Sequence, residues 1–285
     1  MHDLYFENGE GTFLVSHRKA LRHHMPASHF HSTYEIYYLM AGKREFFIQD
    51  RTITIHEGDV VIIAPNILHR TTNAEQPMHE RFIINMHECL FSSDGAHKEA
   101  LRPLLEKDYL VLSGSLRNRL SLDMLARTII QEMKERGGGF ELLARSLAVQ
   151  LLIACCRHYQ QHEEELPLSP SPMHDRISEI VRHINDHYQE ELSLALMADK
   201  FYISPYYLSR SFKEATGFAF VEYVNSVRIK EAKKLLELSS LKVHAIARKV
   251  GFGSVTHFGR VFKEVTGHAP LYYRGSSKSP ILITK

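Results

Sequence analysis

Apolar positions change period along the chain. From residue 13 to about 90 they fall in short runs rich in aromatic and β-branched residues: 35–40 (EIYYLM), 44–49 (REFFIQ), 52–56 (TITIH), 60–64 (VVIIA) and 81–86 (RFIINM). Ala41-Gly42, Gln49-Asp50 and Glu57-Gly58-Asp59 supply turn chemistry between them. Short strands this closely spaced, with no helix between, predict a sandwich or small barrel. From 97 to about 163 the period becomes helical. Leu143, Leu147, Leu151 and Ala154 form one stripe; Leu120, Met124, Leu125, Thr128 and Ile129 form another, with Gly137-Gly138-Gly139 between the two helices. Pro167, Pro170 and Pro172 then forbid a continuous helix and mark an extended spacer. From 174 to 275 the pattern is helical again. Ile177, Ile180, Val181, Ile184 and Tyr188 mark one face; Phe220, Tyr223, Val224, Val227, Ala232, Leu235 and Leu236 mark a longer one. The expected architecture is α+β with two domains, 1–165 and 174–285, joined by a linker at 166–173.

The last hundred residues contain a repeat. Residues 209–217 (SRSFKEATG) recur fifty positions later as 259–267 (GRVFKEVTG), and Met197-Ala198 matches Ile246-Ala247. Each unit reads helix, short turn, helix. Ser193 caps the first helix; Ser204 caps the second, with Pro205 at its first position, where a missing N–H costs nothing. Gly217 sits where a helix C-cap wants positive φ. Ser254 and Gly267 play the same parts in the second unit, and Pro270 follows the stop. Two helix-turn-helix units on one long helix, from Phe220 to about Leu238, suit double-stranded DNA. Each recognition helix fits a major groove, and a rigid connector sets the two about one DNA turn apart, ~34 Å.

These residues resemble the DNA-binding domain of the AraC/XylS family of bacterial transcription regulators. The shared signatures include Leu192-Ser193, Ala198, Ser204, Tyr207-Leu208-Ser209-Arg210, Phe212-Lys213, Gly217, Tyr223, Arg228-Ile229 and Leu235-Leu236. They continue with Val250-Gly251-Phe252, Phe258, Arg260, Phe262-Lys263, Gly267, Pro270 and Tyr273-Arg274. The resemblance implies base-reading roles for Pro205, Tyr206, Ser209 and Arg210 in the first unit. In the second it implies them for Val255, Thr256, His257, Gly259 and Arg260. Lys213 and Lys263 are expected on phosphates. Leu208, Phe212, Phe258 and Phe262 are expected in the core, and Arg228 and Arg274 in structural ion-pair or capping roles. Two positions depart from the family pattern. Leu196 stands where a Glu would complete a capping box, and His257 where a small residue or Tyr is usual.

The first domain carries its own pattern. His29-x-His31-x3-Glu35-x6-Gly42 has a spacing seen in cupin barrels, and Gly58-x6-Pro65-x3-His69 resembles the second cupin motif. Positions 29 and 31 face one side of a strand, so three imidazoles and one carboxylate could hold a divalent metal. The family resemblance favours instead a cupin-like barrel that binds a small effector, expected to be of the sugar class, without metal or other cofactor. Its pocket is expected at His29, His31, Glu35, Tyr37 and His69. The helical stripe from Leu143 to Ala154 is expected to pair two copies into a homodimer. The resemblance also implies activation of transcription and RNA polymerase as a partner. The competing reading is a metal-dependent cupin enzyme, an isomerase or dioxygenase, with a helical accessory domain.

Composition narrows the setting. The chain has 285 residues, 24% of them charged, and no apolar run approaches the ~20 residues of a membrane span. Asp3, Glu7 and Glu10 occupy an N-terminus without a secretory apolar region. Three cysteines, two of them adjacent, do not make a disulfide scaffold, so a reduced, cytoplasmic setting is expected. Nineteen histidines include a cluster at His17, His23, His24, His29 and His31, read as a solvated surface set rather than a pH sensor. The net charge of +2 hides two opposed halves. Residues 1–165 hold 18 Lys and Arg against 22 Asp and Glu, net −4; residues 166–285 hold 17 against 11, net +6. The basic excess lies with the repeated helical units, where phosphate binding requires it.

Overall fold

The computed structural model describes residues 3–21, 31–73, 78–91, 95–113, 116–161 and 171–276. They form two compact units that part in sequence between Pro170 and Ser171. Among the described residues no helix is long and apolar enough to cross a membrane.

The first unit holds two sheets. Strands β1 (Leu4–Glu7), β2 (Phe13–Leu21), β3 (Tyr34–Ala41), β6 (Val60–Ile63), β8 (Met78–Met86) and β9 (Tyr109–Leu112) build the larger, in the order β1-β2-β8-β3-β6-β9. Strands β4 (Lys43–Ile48), β5 (Arg51–His56) and β7 (His69–Asn73) build the smaller, in the order β5-β4-β7. Alternation along the strands divides the side chains between two cores. Tyr37, Leu39, Phe46, Ile48, Ile53, Val61 and Ile83 pack together as the barrel interior. Ile36, Tyr38, Val15, Phe82 and Ile84 pack on the other side, against helices α1 (Gly95–Leu105), α2 (Leu116–Glu135) and α3 (Phe140–Gln161). Gly42 closes the turn from β3 to β4 with φ of +94°; a Cβ there would lie 2.6 Å from the Met78 carbonyl oxygen.

Four strands lie outside the expected runs, the nine-residue β2 and three short ones. β1 pairs with β2, β7 with β4, and β9 adds to the edge of β6 within a stretch expected to be helical. Each of the short ones has only four or five residues, too few to show a period, and each owes its conformation to a partner strand. The helix faces also differ from expectation. α2 buries Leu122, Ala126, Ile129, Ile130 and Met133, while Met124 and Thr128 are exposed. α3 buries Ala144, Ala148, Leu151, Leu152, Cys155 and Cys156. The expected stripe runs along the edge of that face: Leu143 is exposed, and Leu147 and Ala154 are half-buried. Small alanines line the seam and let the helices approach, so large apolar side chains alone misplace it.

The second unit is all helical: α4 (Pro172–His187), α5 (Leu194–Lys200), α6 (Pro205–Thr216), α7 (Phe220–Leu238), α8 (Val243–Lys249), α9 (Val255–Thr266) and α10 (Pro270–Ser276). The expected caps are present. Ser193, Ser204 and Ser254 accept from the backbone N–H of Leu196, Tyr207 and His257 at 3.2, 3.2 and 3.3 Å. Gly217 and Gly267 end α6 and α9 at φ of +78° and +79°. Leu196 offers no carboxylate, so α5 keeps only one bond of a capping box, whereas Glu222 accepts from the Ala219 N–H at 3.2 Å and starts α7. α7 packs against α6, α8, α9 and α10. Leu208, Phe212, Phe258 and Phe262 are fully buried.

Arg228 ties α7 to the turn after α4, donating to the Tyr188 and Glu190 carbonyls at 2.8 Å each, while Arg274 donates to the Leu241 carbonyl. Both therefore serve structure. Gly251 completes the Arg228 clamp. Its φ is +91°, and a Cβ would meet the Tyr188 oxygen at 2.8 Å, the Gln189 oxygen at 2.9 Å and Arg228 Nε at 3.0 Å. Gly251→Ala is expected to cost about 2–4 kcal/mol, the sum of left-handed strain and overpacking. Urea denaturation of residues 171–285 would measure it, and an unchanged midpoint would show that the clamp yields freely.

Candidate functional site

The two second helices of the repeat, α6 and α9, present matched surfaces. Pro205, Tyr206, Ser209, Arg210 and Lys213 are exposed on α6; Val255, Thr256, His257, Arg260 and Lys263 are exposed on α9. Neither helix carries an acidic residue in its first turn. Their N-termini thus keep an uncancelled positive dipole, a ready site for a phosphate. Arg260 is paired only loosely, 3.8 Å from Glu264 on the same exposed face. His257 packs edge-on against Phe252, with ring centroids 5.6 Å apart, which aims the exposed imidazole from the first turn of α9.

Gly259 stands inside α9, where glycine costs helix stability, yet a Cβ there would meet nothing within 4 Å. Gly259→Ala is expected to stabilise the second unit by about 0.5–1 kcal/mol. If DNA approaches the helix at this point, the same change weakens operator binding severalfold. Calorimetry and a gel-shift titration on one preparation read both effects; undiminished affinity would remove Gly259 from the interface.

The first unit places the other candidate site inside the barrel. Alternation on β3 turns Glu35 and Tyr37 inward, and β7 brings His69 beside them. His31 Nε2 lies 3.1 Å from Glu35 Oε2, and His69 Nε2 lies 3.7 Å from Glu35 Oε1. The other nitrogen of each ring faces a carbonyl: His31 Nδ1 that of Thr33 and His69 Nδ1 that of Ile67, both at 2.8 Å. Asn85, on β8, donates to Glu35 Oε2 at 3.3 Å and lies 3.2 Å from His31 Nε2. The Glu35 carboxyl is 3% exposed and the His69 ring fully buried. Burial alone would raise the Glu35 carboxyl, but the charge of His69 and the hydrogen bonds of both imidazoles outweigh it and hold the group well below the usual range. Burial likewise pulls His69 down, and the Glu35 charge more than offsets it, so His69 is raised.

Of the expected pocket, the structure gathers His31, Glu35, Tyr37 and His69; His29 lies outside the described residues. The donor atoms of His31, Glu35 and His69 lie within 4.8 Å of one another, so these three could hold a divalent cation. In the arrangement seen they form a hydrogen-bonded ion-pair network. Sequence reasoning passed over Asn85 and two buried arginines, Arg44 and Arg81. A signal was present. Arg44 alternates with Phe46 and Ile48, and Arg81 with Ile83, so each arginine stands on the apolar face of its strand.

A barrel with a largely buried His31–Glu35–His69 cluster and a paired helix-turn-helix unit define a two-domain protein of the DNA-binding class. Comparison with known proteins agrees. A family model described as an AraC-like ligand binding domain matches residues 10–152, and one described as a helix-turn-helix domain matches residues 197–276. The chain belongs to the AraC family of transcription regulators. It is 26% identical over 279 residues to a Bacillus subtilis protein named as the uncharacterized HTH-type transcriptional regulator YfiF, covering 95% of this chain and 86% of that one. It is 31% identical over 154 residues to the arabinose operon regulatory protein of Escherichia coli, covering 54% of this chain and 51% of that one. Among solved structures, ToxT from Vibrio cholerae matches 94% of this chain and 99% of its own at 15% identity, with a TM-score of 0.38. The protein is thus a DNA-binding regulator with a ligand-binding domain. The reading as a metal-dependent enzyme is set aside, because both domain models are those of regulators and these two relatives are named as regulators.

Proposed function

We propose that the chain is a cytoplasmic, homodimeric activator that reads promoter half-sites with α6 and α9 and releases or engages them according to an effector in the barrel. The observation that carries this is the repeat itself: two helices capped alike, both exposed at their basic positions and both free of acid in the first turn. Pro205, Tyr206, Ser209 and Arg210 of α6 and Val255, Thr256, His257, Gly259 and Arg260 of α9 are assigned to base edges, Lys213 and Lys263 to phosphates. The effector is assigned to the interior around His31, Glu35, Tyr37 and His69, with His29 beside His31 in sequence. Donors and acceptors converge there as the hydroxyls of a sugar require, and the name of the arabinose operon relative supports a sugar-class ligand. Leu142 and Leu143 leave apolar surface on α3, which supports pairing through that helix. Effector binding then shifts the population of two arrangements of the dimer, and the DNA-bound form recruits RNA polymerase.

The test is footprinting of the full chain on DNA flanking its own gene, with and without arabinose and related sugars. Two protected half-sites one turn apart, with protection altered by a ligand, are expected. Uniform, salt-sensitive coating without half-sites would overturn the reading.

A further inference from the structure

Buried arginines stand in the barrel interior. Arg18 and Arg81 are direct cross-strand partners on β2 and β8, and both stand on the face opposite Val15 and Phe82, toward the space between the sheets. Like charges directly opposite each other destabilise a sheet. Arg18 is offset by Asp3 at 2.8 Å. Arg81 is 7% exposed, and its Nε and Nη1 are buried without a hydrogen-bond partner. Among the described residues no carboxylate lies within ion-pair distance of it. Arg44 reaches the same region from β4 and is 1% exposed. The buried Tyr37 hydroxyl lies beside Arg44 and feels the positive charge of both arginines. Glu35 is engaged by His31, His69 and Asn85. It stands opposite Asn85 while Arg81 stands opposite Leu39, four residues away along the sheet, about 13 Å.

A guanidinium buried without a counter-charge is strongly destabilising. Its planar fork of donors matches a carboxylate or a phosphate. We infer that the barrel's effector carries an acidic group, a carboxylate or a phosphate, that seats on Arg81 with Tyr37 and Arg44 beside it. Glu35 repels such a group and so orients the ligand. The acid lies at the Arg81 end, and the hydroxyl-bearing part lies toward Asn85 and His31. The inference rests on the barrel being the effector site.

Thermal shift of the full chain with matched probes tests it: glucose, gluconate, glucose 6-phosphate and inorganic phosphate, and separately benzamide against benzoate. Stabilisation by an acid beyond its neutral counterpart is expected; gluconate or benzoate alone would assign a carboxylate, and glucose 6-phosphate or phosphate alone a phosphate. Arg81→Met is expected to weaken the acid's apparent affinity about tenfold or more, and Arg81→Lys to retain part of it. With no probe present, Arg81→Met is expected to raise Tm, because it removes an uncompensated buried charge. A lower Tm for Arg81→Met, or an acid effect that it leaves intact, would overturn the inference. Stabilisation by glucose or benzamide alone overturns the acid group and leaves the barrel as an effector site. No shift with any probe overturns both.

Discussion

His69→Leu is expected to destabilise the first unit by about 3–5 kcal/mol, because it removes the buried imidazole facing Glu35 Oε1 and leaves the carboxylate only His31 and Asn85, both on Oε2. The cost is large because neither group can reach water: the Glu35 side chain is 3% exposed and that of His69 is fully buried. Glu35→Gln gives a second, sharper reading through pH. Glu35 is held below the ordinary carboxylate range, so the stability it supplies is present above that range and is lost as pH falls through its lowered value. His69 is raised, so its contribution is complete below about 6.5, the unfolded value, and is lost as pH rises through the raised one. Stability from the pair is greatest between those windows. With Gln at position 35 the carboxylate charge is gone, and burial, the largest influence on His69, favours the neutral ring against the smaller pull of the Ile67 carbonyl. The contribution of His69 should then increase, not decrease, as pH rises past about 6.5. Urea unfolding of parent and variant from pH 5 to 8 gives the comparison, and the difference between them cancels the histidines remote from Glu35. Parallel curves would mean that the two groups do not share charge in the folded state.

Arg260→Ala is expected to weaken operator binding by about 1–3 kcal/mol while leaving affinity for random DNA nearly unchanged. Arg260 is 70% exposed, and its one ion pair, with Glu264, spans 3.8 Å at an exposed site. Such pairs are worth little, so the side chain gives up almost nothing to reach a base. Lys263→Ala should instead lower affinity evenly across sequences and reduce the salt dependence of binding by about one counterion. Gel-shift titrations on the footprinted site and on scrambled DNA, at several salt concentrations, separate the two roles. An equal loss on both DNAs for Arg260→Ala would reassign it to the phosphate backbone; full affinity on both would take it off the interface.

The repeated helical domain was the most legible part of the chain, because its signals are local. Ser193, Ser204 and Ser254 cap within three residues, and Gly217 and Gly267 stop helices through their own backbone. The barrel was legible as a class from runs such as 60–64, but β9 was not, since Tyr109–Leu112 becomes a strand only beside β6. His31 and Glu35 were joined by spacing. His69 came from a second motif, whereas Asn85 reaches them only through the pairing of β8 with β3. Arg44 and Arg81 were hidden by the habit of reading charge as surface. Only the two-residue rhythm of their strands betrays that they point inward.

The connector α7 has a further consequence. It is a single helix of 19 residues, about 28 Å long, and elements of both helix-turn-helix units pack on it. A flexible tether would let each unit find its half-site independently, with an effective concentration set by chain entropy. A strut removes that search and the tolerance that goes with it. Once α6 is seated, α9 is presented at one height and one angle, and each base pair added between the half-sites turns the second away by about 36°. Affinity for the whole operator is therefore a function of its phasing as much as of its letters. A promoter can tune this regulator by moving a half-site without altering a single contacted base.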